Sequence, residues 1–300
     1  GQVETLQLLL DSGADANGAG GPGDTPLLVA VEQNSLEVLR RLLEARADPN
    51  GRAGGSGASP VPLAVANNRH EALRLLLEAS ADPNQDCPLL HAVRADDESE
   101  VSLLLQARAD ANWAQDGATP LHAAVQGDRT VALQLLLDAG GDPNTQLEGG
   151  VPLVFAAAER GGTAALELLL QAKGDPNRAG NEGVVPISAA IQGDHAEVVR
   201  LLLEAKVDAN QALQPGGDVP LFVAARTDSA GALRVLLAAG ADPNGAREDG
   251  TTPVLAAAEA GKAAALEMLL QARGDVGREA RDGASPVAVA ARNGHADALL

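Results

Sequence analysis

The chain has 300 residues, 45% of them hydrophobic, yet it contains two Phe, one Trp and no Tyr; a core must therefore be built from Leu, Val and Ala on closely approaching backbones, which disfavours a broad sandwich or barrel. A net charge of −19 sets the surface against nucleic acid, whose binding requires Lys and Arg, and against anionic membrane; the charge serves either solubility or a basic protein segment. There is no apolar run long enough to span a bilayer and no signal-like N-terminus, and the lone Cys87 cannot form an internal disulfide, so a reducing compartment, cytoplasm or nucleus, is expected.

Residues 1–10 read as the second helix of a pair whose first is missing, leaving Leu6, Leu8, Leu9 and Leu10 without a neighbour's cover. Beyond them two marks recur. An Asp is followed two residues later by Asn at Asp15, Asp48, Asp82, Asp110, Asp142, Asp175, Asp208 and Asp242, while Asp275 keeps the Asp alone. A Pro recurs at 26, 60, 88, 120, 152, 186, 220, 253 and 286, a period near 33 that signals a repeat array. Each Pro stands 22 residues before the next Asp, except for 23 between Pro152 and Asp175; the Asp-to-Pro distance varies from 6 to 12. The constant segment is the packed unit and the variable one a surface connection.

The packed unit reads as two short helices. In the copy beginning at Thr119, that residue can cap the first helix and Pro120 suits its first position. Gln126-Gly127-Asp128 breaks it; Val131, Leu133, Leu135, Leu136 and Leu137 supply the apolar side of a second helix ending near Gly140-Gly141. Neither helix is long enough to stand alone, so each repeat leans on the next. Four residues after every Pro stands Ala (30, 64, 92, 124, 156, 190, 224, 257 and 290), as a close helix crossing would require.

Thr119-Pro120-Leu121-His122-Ala123-Ala124 resembles the ankyrin signature T-P-L-H-x-A, with looser copies at Thr25-Pro26-Leu27, Thr252-Pro253-Val254 and Ser285-Pro286-Val287. The Gly-Ala-Asp-Pro-Asn run at 240–244 and Asn293-Gly294-His295 resemble further family features, whereas Val151, Val185, Val219 and Cys87 replace the capping Thr. The resemblance implies an all-α ankyrin-repeat solenoid of stacked helix-turn-helix units with β-hairpin fingers, one array over 1–300 of about nine to ten repeats, the first and last truncated, within a longer protein.

It also implies a concave groove that binds a partner protein or peptide. Its expected residues in the fingers are Trp113, Gln115, Asp116, Arg178, Asn181, Glu182, Gln211, Arg247, Glu248 and Asp249; at the ends of first helices they are Glu32, Gln33, Arg94, Gln126, Gln192, Arg226, Glu259, Arg292 and Asn293. Trp113 is either an interface anchor or packs on a neighbouring finger. The short 82–88 connection should notch the row of fingers.

No catalytic or cofactor chemistry is expected. His70, His91, His122, His195 and His295 are scattered, with His122 and His295 in family positions where the ring bonds backbone, and one cysteine excludes a thiolate metal cluster. The glycine-rich stretch at 51–57 lacks the Lys-Ser/Thr ending of a phosphate loop, and acidic residues follow the repeat spacing without pairing for catalysis. The reading is a monomeric protein-interaction scaffold, not an enzyme, without metal or cofactor; a substrate-recruiting accessory domain of a larger kinase or ubiquitin ligase, or a mechanical linker, are the alternatives.

Overall fold

A computed structural model describes the chain except residues 1, 19–23, 55–56, 116, 147–149, 181–182, 214–216 and 296–300. The residues divide into two units, Gly1–Asp142 and Pro143–Leu300. The first holds α1 (Gln2–Asp11), α2 (Pro26–Glu32), α3 (Leu36–Glu44), α4 (Pro60–Ala66), α5 (His70–Glu78), α6 (Pro88–Ala95), α7 (Glu98–Gln106), α8 (Pro120–Gln126) and α9 (Thr130–Asp138). The second holds α10 (Leu153–Arg160), α11 (Thr163–Gln171), α12 (Pro186–Gln192), α13 (Ala196–Glu204), α14 (Pro220–Thr227), α15 (Ala230–Ala238), α16 (Pro253–Glu259), α17 (Ala263–Gln271) and α18 (Pro286–Asn293). Within each unit, a first helix packs on its own second helix and on the first helix of the next repeat, and second helices stack likewise.

The helices start and stop where local chemistry dictates. Thr25, Thr119, Thr252 and Ser285 each accept a hydrogen bond at their hydroxyl from the N–H three residues on, and proline follows at the first helical position. Ser59 instead donates its hydroxyl to Asp86 Oδ2 at 2.7 Å, and Cys87, Val185 and Val219 make no side-chain cap.

The repeated alanine sets both spacing and termination. Ala30, Ala64, Ala92, Ala124, Ala190, Ala224, Ala257 and Ala290 are at most 3% exposed. The carbonyl of each accepts the N–H of the residue five positions on, closing the helix end: Ser35, Arg69, Asp97, Arg129, His195, Ser229, Lys262 and His295. The 152–175 repeat corrects the sequence reading. There the first helix begins at Leu153 with Pro152 as its N-cap, so Val151 does not occupy a capping position. Gly162 N–H bonds Ala157 O at 2.9 Å, and Ala157 is 1% exposed against 7% for Ala156. The extra residue in the 23-residue segment shifts the register by one, and Ala157 takes the crossing position.

Second helices bury a narrower stripe. In α9, Ala132, Leu133 and Leu136 are buried while Val131, expected on the apolar side, is 48% exposed, because the inward stripe falls one residue later on the helix. In α1, Leu8 and Leu9 are 68% and 55% exposed, while Leu6 and Leu10 are half-buried.

The Asp-x-Asn marks form a ladder. Asp Oδ1 turns back to accept the Asn N–H two residues on, as at Asp48, Asp82, Asp110 and Asp242. The Asn side chain then accepts the N–H of the next repeat's Asp. Asn17, Asn50, Asn84 and Asn112 do so in the first unit at 2.6–2.7 Å, and Asn144, Asn210 and Asn244 in the second at 2.8 Å. Asp275 closes its turn on the Gly277 N–H.

The connections expected to be hairpin fingers close through one or two backbone bonds each, such as Gly180 N to Val184 O with Gly183 N to Gly180 O, and Arg247 N to Thr251 O with Gly250 N to Arg247 O. Among the described residues, pairing there goes no further than the isolated bridges Gln115–Ala118 and Gln146–Pro152. The 82–88 connection is a pair of tight turns, with Asp86 and Cys87 both at positive φ, held by Arg52 Nη2 donating to Asp86 Oδ1 at 2.7 Å.

Two substitutions test this account. Ala157→Leu should cost about 1–3 kcal/mol in urea unfolding through overpacking, and more than Ala156→Leu. Asn244→Ala removes the acceptor for the Asp275 N–H and the 3.2 Å bond from Nδ2 to Arg273 O; it should cost about 1–2 kcal/mol and accelerate amide exchange at Asp275.

Candidate functional site

Because the alanine fixes where each first helix ends, the residue two places later always lies at the same turn of backbone. Glu32, Arg94 and Gln126 hold this place in the first unit and Gln192, Arg226, Glu259 and Arg292 in the second, and all are exposed. The register shift adds Glu159, exposed at the end of α10, which sequence reasoning passed over by counting from Pro152; the 23-residue spacing was the signal. In the second unit Glu159 and Gln192 edge one open cleft of about 490 Å³, lined also by Val151, Phe155, Val184, Ala189 and Gly193. Phe155 is 6% exposed, and a Cβ at Gly180 would stand 2.8 Å from its ring, so only glycine lets the connection lie on that face.

Arg226 and Arg247 also come together. Both guanidinium carbons stand over the Phe222 ring, at 5.5 and 4.9 Å from its centroid, a favourable placement for a cation on an aromatic face. Asp218 pairs with both, at 2.6 Å from Arg247 Nε and 3.9 Å from Arg226 Nη2, while Asp249 lies 3.5 Å from Arg247 Nη1. Arg247 is thus held in place, while Arg226 remains 53% exposed. Phe155 and Phe222 each stand 20 residues before an Asp mark, a shared register that the sequence reading did not use.

The remaining expected residues differ in availability. Arg178 Nη1 donates to Asn144 O at 2.8 Å, which ties one connection to the one before it. Gln115 is committed through its backbone to Ala118. Glu248 is exposed. Trp113 is 49% exposed and borders a narrow crevice with Pro83, Pro88 and Pro120, so it both packs and presents a face. Asp116, Asn181 and Glu182 lie outside the described residues. The outward side of the second helices is different in kind: Arg41, Arg74 and Arg200 each bridge two glutamates of their own helix, exposed pairs worth little individually.

Two buried groups depart furthest from ordinary titration. His122 is 1% exposed; its Nδ1 meets the Thr119 hydroxyl at 2.7 Å, a side-chain partner where backbone was expected, and burial pushes its pKa down to about 4. His295, as expected, bonds backbone, the Glu259 carbonyl, at 3.0 Å. Glu100 is fully buried; burial, then the Asp97 charge, push its pKa up to about 7 against an opposing influence from His70. His70, Asp97 and Glu100, scattered in sequence, converge here.

The model of ankyrin repeats, in three copies, matches residues 1–87, 63–146 and 153–247. The chain belongs to the ankyrin repeat family. Among solved structures it is similar to the ankyrin repeat domain of Bcl-3, described as a unique member of the IkappaB family: TM-score 0.64, 24% identity, covering 72% of this chain and 99% of that one. It is also similar to the human ASB11 ankyrin repeat domain: TM-score 0.57, 24% identity, covering 68% and 91%. No curated protein sequence matches significantly. At this identity the likeness concerns the fold, the stacked helix-pair solenoid, which is generally a protein–protein interaction module. No helix among the described residues is long and apolar enough to cross a membrane.

The buried imidazole makes stability pH-dependent with a definite sign. The unfolded chain protonates His122 below its ordinary pKa of 6.5, the folded chain only below about 4, so this contribution is complete above pH 6.5 and is lost as pH falls towards 4. Between pH 7.5 and 5, the wild type should lose about 2 kcal/mol more in urea unfolding than His122→Gln does.

Proposed function

We propose that this ankyrin array is a protein-binding scaffold, a monomer without catalysis of its own, acting in the cytoplasm or nucleus. A partner protein or peptide seats on the face formed by the first-helix ends and the connections. The observation that carries the reading is the cleft of the second unit, where Glu159 and Gln192 edge an apolar floor that includes Phe155 and Val184. An apolar centre with a polar rim is the anatomy of an interface, and the polar positions are the ones that vary while the frame repeats. Arg226, fixed over Phe222 yet exposed, adds a cation that loses little freedom on binding. The net charge of −19 favours a partner segment of opposite sign and speeds its approach.

The test is quantitative affinity capture with the chain as bait, comparing the wild type with a Glu159→Lys/Gln192→Ala variant and with Arg200→Ala on the outer helix α13. A defined set of partners should fall by roughly tenfold or more with the first variant, the scale of an interface anchor, and persist with the second. Recovery unchanged by the cleft variant, or equally reduced by both, would remove the cleft from the binding account.

A further inference from the structure

One residue breaks the pattern of the second helices. Glu100 stands ten residues before Asp110, the register occupied elsewhere by Thr5, Val38, Ala72, Ala132, Ala165, Val198, Ala232 and Ala265. From Ala72 onward all of these are buried; so is Glu100, whose side chain has no exposure and whose two carboxyl oxygens have no hydrogen-bond partner. A buried carboxyl without a partner is costly, where alanine would be free of that penalty.

The surroundings supply the reason. Glu100 Oε1 lies 3.6 Å from His70 Nε2. Asp97 caps α7 with Oδ1, accepting the Glu100 N–H at 2.9 Å, which leaves Oδ2 directed at the same His70 nitrogen at 2.7 Å. One ligand atom from each residue lies within 4.8 Å of the others. Two ligands each about 2.0–2.1 Å from a tetrahedral centre stand roughly 3.3 Å apart, so a small rotation of His70, itself 47% exposed, opens the group to that size. On the solvent side lies an open depression that includes Asn68, Ala95, Asp96 and Glu98. Nearby Asp96 is paired with Arg129 at 3.5 Å, which leaves His70, Asp97 and Glu100 as the converging set.

We propose that His70, Asp97 and Glu100 bind one borderline divalent metal ion of the Zn²⁺ class, with water completing the coordination from the depression. An imidazole with two carboxylates favours such an ion over Ca²⁺ or Mg²⁺, which take oxygen ligands. The ion supplies the counter-charge that Glu100 lacks, and it joins α5 to α7, two second helices of successive repeats. The site is independent of the partner-binding cleft in the other unit.

The experiment titrates Zn²⁺, and separately Co²⁺, Ca²⁺ and Mg²⁺, into the chelator-stripped, tag-free chain by calorimetry, with thermal unfolding recorded alongside. One equivalent of Zn²⁺ should bind and raise the thermal midpoint, and Co²⁺ should give visible absorption bands of a nitrogen- and oxygen-ligated ion. Glu100→Ala places there the residue that five other repeats carry and so should fold. In that variant and in His70→Gln, affinity should fall by more than the roughly 10–100-fold typical of losing an outer partner, and the rise in midpoint should vanish. His91→Gln should bind as the wild type does. No Zn²⁺ binding at millimolar concentration, binding unaffected by Glu100→Ala, or a preference for Ca²⁺ or Mg²⁺ that survives His70→Gln would each overturn the assignment.

Discussion

A seven-residue helix is not stable in water by itself, and every first helix among the described residues is seven or eight residues long. Within each unit, each is held by its own second helix and by the close approach of a neighbouring first helix beside a single buried alanine. The methyl leaves room for the backbones to meet, and the carbonyl of the same residue accepts the turn N–H that ends the helix. One small side chain therefore sets both how near two repeats lie and where the chain turns outward. The residue two positions later inherits its place from that geometry, so its identity can vary without disturbing the stack. The variable position is separated from the packed one by two residues of backbone.

The connections are ordered by a different interaction with a similar logic. Asp organises its own turn and Asn reaches into the next repeat, so polar groups that would be idle in a surface loop become the links between neighbouring connections. Longer side chains reinforce them: Arg178 and Arg278 each donate to the carbonyl of an Asn in the repeat before, at 2.8 Å. This divides the charged surface into residues that hold the frame and residues that face outward from it. Arg178 and Arg247 belong to the first group, and Arg226, Glu159 and Gln192 to the second. Phe222 shows how the two meet, since the ring is buried while the cations on it are oriented at the surface.

A strictly repeating frame also exposes what departs from it. A glutamate in an ordinary helix would pass unremarked, but at a buried register filled in the other inner repeats by Ala or Val it carries an energetic penalty that calls for a compensating partner. His122 departs in a milder way. Its imidazole is kept neutral by burial and satisfied on one nitrogen by Thr119, so it contributes to packing above its ordinary pKa and opposes folding below it. Both cases place a titratable group inside the stack, where burial rather than solvent decides its protonation.

The sequence by itself determined the period, the helix pairs, most of their caps and the family, because these rest on local chemistry repeated many times: proline at a helix start, a small residue at a crossing, Asp-x-Asn at a turn. It also determined which positions vary, and hence most of the candidate surface, including Arg94, Gln126, Gln192 and Arg226. Only tertiary structure decided the rest. Counting from Pro152 placed the crossing alanine one residue early, since whether the extra residue falls before or inside the helix depends on how Ala157 packs. The onward bonds from Asn to the next Asp, the seat of Arg247 on Phe222, and the meeting of His70 with Asp97 and Glu100 all join residues about 20–40 positions apart in neighbouring repeats. Periodicity brings such residues into neighbouring repeats, but the distance between their atoms is settled by how the helices stack.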